Sequence, residues 1–76
     1  MRETTLLDAK GLKCPLPVLK ARKAMRSLAV GDLLEVHATD PSSQQDFPNF
    51  CQTTGHELLE NRQQDQVYIF TIKKSG

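Results

Sequence analysis

The chain has 76 residues, of which 38% are hydrophobic and 25% charged, with a formal net charge of +1. This composition excludes an intrinsically disordered protein and predicts a single domain over residues 1–76, with one modest core because so short a chain buries only about 60% of its unfolded surface. The start lacks an export signal, no stretch is long enough to span a membrane, and two cysteines are too few for a disulfide framework, so we expect a cytoplasmic protein with free thiols.

The first half of the chain predicts a strand, a helix and a second strand. "TTLLD" (4–8) is typical of a strand, and Gly11 marks the turn after it. A helix is predicted from Pro15 to Leu28, because apolar residues recur there at 3.6-residue spacing with basic residues opposite. Gly31 ends it, and residues 32–38 alternate as a half-buried strand does. The apolar face of the helix is formed by Val18, Ala21, Ala24, Met25 and Leu28, and the basic face by Lys20, Arg22, Lys23 and Arg26.

A second helix is predicted after the second strand. It opens at Asp40 and Pro41, a pairing typical of a helix N-cap and first turn, and it ends at Gly55. Pro48 would interrupt its hydrogen bonds, so either the first half is irregular or the regular part starts near Asp46. One face of this helix carries Phe47, Phe50, Cys51 and Thr54.

Two further strands complete the chain. They are predicted at 56–61 and 66–74, with "RQQD" as the polar turn between them. The last strand is rich in β-branched and aromatic residues, so we expect it in the centre of the sheet. The order β-α-β-α-β-β predicts an α+β fold, a two-layer α/β sandwich with two helices on one face of a four-stranded mixed sheet.

The stretch "GLKCPLP" places Cys14 directly before Pro15 and Pro17. Proline is favoured in the first turn of a helix, so Cys14 is predicted at the N-cap, with the N–H of Leu16 aimed at its sulfur. The helix dipole contributes about 0.3–1 kcal/mol, less than the roughly 1.4 kcal/mol of one pKa unit. Together with Lys13, it predicts an exposed and only mildly acidified thiol, presented for reaction more than activated.

Other chemistry of cysteine fits the sequence poorly. A cysteine hydrolase needs a histidine base, and His37 is expected as a solvent-facing strand residue and His56 as a turn residue. A Cys-x-x-Cys redox motif is absent, and the Cys and His spacings of 23, 14 and 5 residues match no zinc pattern. Cys51 lies on the apolar face of the second helix, where a free cysteine packs as a small hydrophobic residue. We therefore expect no metal site.

The stretch "LDAKGLKCPLPVLKARKAM" resembles the signature of the TusA-like (SirA-like) sulfur carrier proteins, and the similarity continues through "GDLLEVHATDPSSQQDFPNFCQTTGHELL". The resemblance implies the same sandwich fold, no catalysis by the chain alone and no cofactor. It implies that Cys14 accepts sulfane sulfur as a persulfide from a cysteine desulfurase, with Gly11, Pro15 and Pro17 as the motif scaffold. The sulfur then passes to a downstream relay protein, in the best known case towards thiolation of a tRNA wobble uridine. Paralogues serve other sulfur pathways and selenium delivery.

The charge distribution suggests where a partner docks. Residues 1–30 carry seven Lys and Arg against two Asp and Glu, whereas residues 31–76 carry three against seven. Leu16 and Leu19 fall on the basic side of the first helix and are expected to be exposed near the thiol. We interpret them as a small docking surface with a basic rim for an acidic partner, on a carrier that is monomeric when free. The rim consists of Lys13, Lys20, Lys23 and Arg26.

The alternative is a small nucleic-acid or protein binding or regulatory module without sulfur transfer, in which Cys14 is merely a cap. The basic first third of the chain is its support. Recognition of RNA by a four-stranded sheet uses aromatic side chains that stack on bases. This chain has three Phe and one Tyr, and Phe47 and Phe50 are assigned to a helix core. Replacement of Cys14 by Ser separates the two hypotheses, because only sulfur transfer needs the thiol.

Overall fold

The computed structural model describes residues 4–75 of the chain. Within this range, strands and helices follow in the predicted order β-α-β-α-β-β. Their bounds are β1 Thr4–Ala9, α1 Leu16–Arg26, β2 Leu33–Ala38, α2 Ser43–Thr54, β3 Glu57–Gln64 and β4 Val67–Lys73. The predicted α+β class is confirmed.

The four strands form one mixed sheet in the order β1-β2-β4-β3. β1 is parallel to β2, whereas β4 is antiparallel to both of its neighbours, so the last strand is central as predicted. Along β2, Leu34, Val36 and Ala38 are buried, while Glu35 and His37 on the opposite face are only half-buried. Both helices therefore pack on one face of the sheet, and the fold is the predicted two-layer sandwich.

The core lies between the helices and the sheet. At its centre, the ring of Phe47 on α2 stacks on the ring of Phe70 on β4 with centroids 4.7 Å apart. This contact fixes α2 over the middle of the sheet. The buried members of the cluster are Ala9, Ala21, Met25, Leu34, Val36, Ala38, Phe47, Phe50, Cys51, Phe70 and Ile72.

The first helix is shorter than predicted at both ends. It starts at Leu16 and ends at Arg26, whereas the sequence predicted Pro15 to Leu28. At the end, the N–H groups of Ser27 and Leu28 donate to carbonyls three residues back rather than four. The last predicted residues therefore form a tighter turn of the 3₁₀ type, a common way for a helix to end.

The predicted start of the second helix is wrong. Asp40 and Pro41 belong to a turn in which the N–H of Ser43 donates to the carbonyl of Asp40 at 2.9 Å, and Ser42 is the N-cap. The helix then continues through Pro48 without interruption. Proline removes one donor, but the carbonyl it leaves without that bond belongs to the exposed Gln44, where water can replace it.

Two further predictions in the second half need correction. Thr54 was placed on the buried face of α2 but is exposed, and its hydroxyl donates to the carbonyl of Phe50 at 2.7 Å. The turn predicted at "RQQD" lies later, because β3 runs to Gln64 and the chain reverses at Asp65 and Gln66. Asp65 adopts a φ of 56°, which Asp tolerates better than most residues and which a tight hairpin requires.

Candidate functional site

Cys14 lies in the loop between β1 and α1, and its side chain is exposed. The Cys14–Pro15 peptide bond is cis. Pro15 rather than Cys14 is the N-cap of α1, so the predicted cap position is wrong. The N–H of Leu16 donates to the carbonyl of Lys13 at 2.8 Å and is not available to the sulfur. The N–H of Leu16, which we predicted to point at the sulfur of Cys14, therefore forms part of the turn around Cys14 instead.

The segment that follows β2 holds this loop in place. The N–H of Gly11 donates to the hydroxyl of Thr39 at 2.9 Å, and the N–H of Cys14 donates to Asp40 Oδ2 at 2.6 Å. The other carboxylate oxygen of Asp40 accepts from the N–H of Ser42 at 3.0 Å. These backbone bonds hold the pKa of Asp40 below its usual value. One carboxylate therefore joins the cysteine loop to the turn before α2.

The motif scaffold predicted from the sequence occupies three different environments. Gly11 adopts a φ of 81°, a left-handed conformation that glycine reaches without strain. Pro17 is fully buried, so it anchors the first turn of α1 to the core, whereas Pro15 is exposed beside Cys14. The loop is consequently fixed at both ends while the thiol between them faces solvent.

A groove of about 230 Å³ lies between α1 and α2, with the thiol at one end. Asp46, in the first turn of α2, lies beside Cys14, and hydrogen bonding to its carboxylate raises the pKa of the thiol. Partial desolvation and the negative charges of Asp46 and Asp40 act in the same direction. The predicted mild acidification of Cys14 is therefore wrong. The groove is lined by Cys14, Pro15, Val18, Arg22, Asp46, Asn49, Phe50 and Thr53.

The second cysteine and the histidines lie outside this groove. Cys51 is 5% exposed and its burial raises its pKa to about 11, which confirms the predicted core position. His37 is half-buried on the open face of the sheet, 2.6 Å from the carboxylate of Glu35. His56 is also half-buried, and burial and the charge of Lys74 lower its pKa. His37 is thus less exposed than predicted, and neither histidine lines the groove that holds Cys14.

Residues 4–75 also bear on the predictions about metal binding, membrane spanning and RNA binding. No group of three His, Cys, Asp or Glu side chains in this range could hold a metal ion, and none of its helices is long and apolar enough to cross a membrane. Phe47, Phe50 and Phe70 are buried, and Tyr68 packs against the same core. The aromatic side chains are therefore not arranged on the open face of the sheet for stacking on RNA bases.

The outer face of α1 is exposed as predicted. Leu16 and Leu19 are 50% and 52% exposed, and both follow the cysteine loop within the first helical turns. Among the basic residues, Lys20 donates to the carbonyl of Asp8 at 3.1 Å, which ties this side of α1 to the end of β1. The exposed basic side chains around the two leucines are Lys13, Lys20, Lys23 and Arg26.

Comparison with known proteins gives concordant matches over nearly the whole chain. Residues 5–74 match the family described as Sulfurtransferase TusA. The sulfur carrier protein TusA of Pseudomonas putida strain W619 is 48% identical over 71 residues, which is 93% of this chain and 89% of that protein. TusA of Allochromatium vinosum is 48% identical over 69 residues and 91% of each chain. The putative sulfur carrier protein YrkF of Bacillus subtilis is 41% identical over all 76 residues, which match 41% of that longer protein.

The fold also has a counterpart among solved structures. The crystal structure of a SirA-like protein from Desulfitobacterium hafniense superposes with a TM-score of 0.81 at 29% identity, covering 97% of this chain and 99% of that one. The similarity therefore extends from the sequence motif to the complete arrangement of helices and strands.

Proposed function

The chain belongs to the TusA family and is a sulfur carrier, and we propose that Cys14 is the residue that carries the sulfur, as a persulfide. The observation that carries this proposal is the contrast between the two thiols. Cys14 is exposed at the end of a groove, whereas Cys51 is buried with a pKa of about 11. Only the first can meet the active site of another protein.

The proposed donor is a cysteine desulfurase that holds sulfane sulfur as a cysteine persulfide. Cys14 Sγ attacks the outer sulfur of that persulfide, so that a bond forms between them and the sulfur–sulfur bond of the donor breaks. The donor cysteine leaves as a thiolate and takes up the proton that Cys14 loses. The step is a thiol exchange in which one persulfide and one thiol give one persulfide and one thiol, so it needs no external oxidant, metal or cofactor.

The site suits a carrier more than an enzyme. The loop holds Cys14 by its backbone N–H, through Asp40, while the side chain stays exposed. The half-open groove beside it gives a partner access to the sulfur from one side. We propose that a downstream sulfur-relay protein takes the sulfur from this position, in a pathway that leads to thiolation of tRNA.

The docking surface is proposed on α1. Leu16 and Leu19 are about half exposed within a turn or so of the thiol, and the basic side chains around them favour a partner with an acidic surface. Buried apolar contacts at the centre of such an interface carry most of the binding energy, and the charged rim raises the association rate. The rim is formed by Lys13, Lys20, Lys23 and Arg26.

We further propose that residues 1–76 act as a single cytoplasmic domain that is monomeric between transfers. The described residues share one hydrophobic core, which supports a single folding unit. A monomer leaves the thiol and the outer face of α1 free for donor and acceptor in turn.

The test is the intact mass of the protein after incubation with a cysteine desulfurase and cysteine. We expect a gain of one sulfur atom that is removed by a reducing agent, is absent from Cys14→Ser, and persists in Cys51→Ser. Peptide mapping should place the added sulfur on Cys14. A gain that survives in Cys14→Ser, or that maps to Cys51, would overturn the assignment.

A further inference from the structure

We propose that Asp46 is a positioning residue that keeps the proton on the empty Cys14 thiol and so restrains its reactivity until the thiol is loaded with sulfur. This inference rests on the proposed function, because it concerns the same thiol in its unloaded state. It assigns a role to a carboxylate that the motif around Cys14 does not contain.

The fold brings Asp46 to the thiol from a distant part of the chain. Cys14 precedes α1, Asp46 lies in the first turn of α2, and both line the groove between the helices. The next residue, Phe47, is fully buried and stacks on Phe70, so the start of α2 has a fixed position over the sheet. The Asp46 side chain is half-buried, and the packing of α2 on the core places it on the wall of the groove that also holds the Cys14 thiol.

The charged groups around Cys14 come from three parts of the chain. Asp46 approaches from α2 and Asp40 from the turn before it, and both oppose a negative charge on the sulfur. Lys13 is the preceding residue, and its charge acts on Asp40. Arg22 lines the groove from α1, but its guanidinium carbon lies over the ring of Phe50 at 5.9 Å from the centroid. The charged groups that act most strongly on the sulfur are thus carboxylates, which raise the pKa of the thiol and favour its protonated form.

Loading with sulfur removes this restraint. In a persulfide, Sγ is bonded to a second sulfur and carries no proton, so it can no longer donate to Asp46. The outer sulfur lies about 2.0 Å beyond Sγ and is the more acidic group. Once ionised, it is repelled by Asp46 and Asp40 and is favoured in a position pointing away from the groove. The same carboxylate therefore protects the empty carrier and leaves the loaded one available for transfer.

The experiment measures the rate at which iodoacetamide, a neutral reagent, alkylates Cys14 as a function of pH. Every variant carries Cys51→Ser, so that a single thiol is observed. In Asp46→Asn we expect the midpoint of the profile to move to lower pH and the rate near neutral pH to rise several-fold, with the plateau at high pH unchanged. Asp46→Glu should restore the midpoint towards that of the parent protein.

Two comparisons separate this effect from others. Glu57→Gln removes one carboxylate at the opposite end of the sheet, where Glu57 pairs with Lys73, and should leave the profile unchanged. A structural opening of the groove would raise the plateau, because it would change access to the thiolate rather than its fraction. An unmoved midpoint in Asp46→Asn, or a plateau change alone, would overturn the proposal. Failure of wild-type protein to load sulfur on Cys14 would instead overturn the carrier assignment, since alkylation does not require loading.

Discussion

Asp40 determines where the cysteine loop lies. Its two carboxylate oxygens accept from the N–H groups of Cys14 and Ser42, which belong to segments separated by all of α1 and β2. Hydrogen bonds to an ionised acceptor are stronger than bonds between neutral groups, so this arrangement depends on the charge of Asp40. The position of the carrier thiol is therefore coupled to the ionisation of a side chain that does not touch the sulfur.

This coupling predicts a pH dependence of stability. The pKa of Asp40 is below its ordinary value of 3.8 in the folded protein, so its contribution is present above that pH and is lost as the pH falls through the folded-state pKa. Asp40→Asn should be less stable than wild type at neutral pH, and the difference should shrink below about pH 4. Urea denaturation of both proteins at several pH values measures it. Asp65→Asn, in the hairpin turn, serves as the charge-matched control. A difference that stays constant down to low pH would contradict the assignment.

The residues of the site differ in how far the sequence reveals them. The exposed position of Cys14 could be predicted because two prolines and a glycine lie close to it in the sequence, and these residues restrict the local backbone conformation. Asp40 was predicted only as a helix cap, and Asp46 only as a possible helix start. Their bonds to the loop run between distant segments, and a side-chain contact of that kind leaves no periodic pattern in a single sequence. The pKa of the thiol depends on these contacts, so its direction was predicted wrongly.

At the scale of elements, the exposed face of α1 predicts a specific defect in transfer. Leu19 is 52% exposed, so Leu19→Asp should fold cooperatively with a change in unfolding free energy within about 0.5 kcal/mol. Its reaction with small alkylating agents should be unchanged, yet sulfur loading from the desulfurase should slow by about tenfold or more, the effect of about 1.4 kcal/mol in docking. The loading rate is measured by stopping the reaction with the desulfurase at successive times and determining the intact mass of the protein in each sample.

A matched control for this prediction is Val30→Asp. Val30 is 71% exposed in the turn after α1, at the end of the helix away from the thiol, so the same change of charge there should leave loading unaffected. If Leu19→Asp unfolds, Leu19 contributes to the core. If it folds and loads at the wild-type rate, the docking surface lies elsewhere.

The elements themselves were predictable where a period was present. α1 and β2 have clear patterns of 3.6 and 2 residues, and β4 is dense in β-branched and aromatic residues. The start of α2 could not be predicted correctly, because Asp40 and Pro41 are equally suited to a helix start and to the turn that they form. The end of β3 was missed because an edge strand with polar residues on both faces has no apolar alternation. Its position is fixed by pairing with β4, a tertiary contact.

At the scale of the whole molecule, the site depends on one small core. The groove exists because α1 and α2 pack side by side on the same face of the sheet, and the stack of Phe47 on Phe70 connects the second helix to the central strand. Asp46 directly precedes Phe47, so the carboxylate beside the thiol is held by the same contact. Stability and the environment of Cys14 are therefore linked through α2.

Phe47→Ala should show how much of the molecule this contact supports. Loss of a buried Phe costs about 3–5 kcal/mol, whereas a 76-residue domain has a total stability of about 4–11 kcal/mol. Urea denaturation should therefore show the variant to be close to unfolding at 25 °C, while Leu59→Ala on the exposed edge strand should change the unfolding free energy by less than about 0.5 kcal/mol. Phe47→Leu, which keeps most of the volume, should remain folded and load sulfur on Cys14. A loss below about 1 kcal/mol in Phe47→Ala would contradict the central place of this stack, because removal of a fully buried aromatic ring loses its transfer free energy and leaves a cavity that the surrounding residues fill only in part.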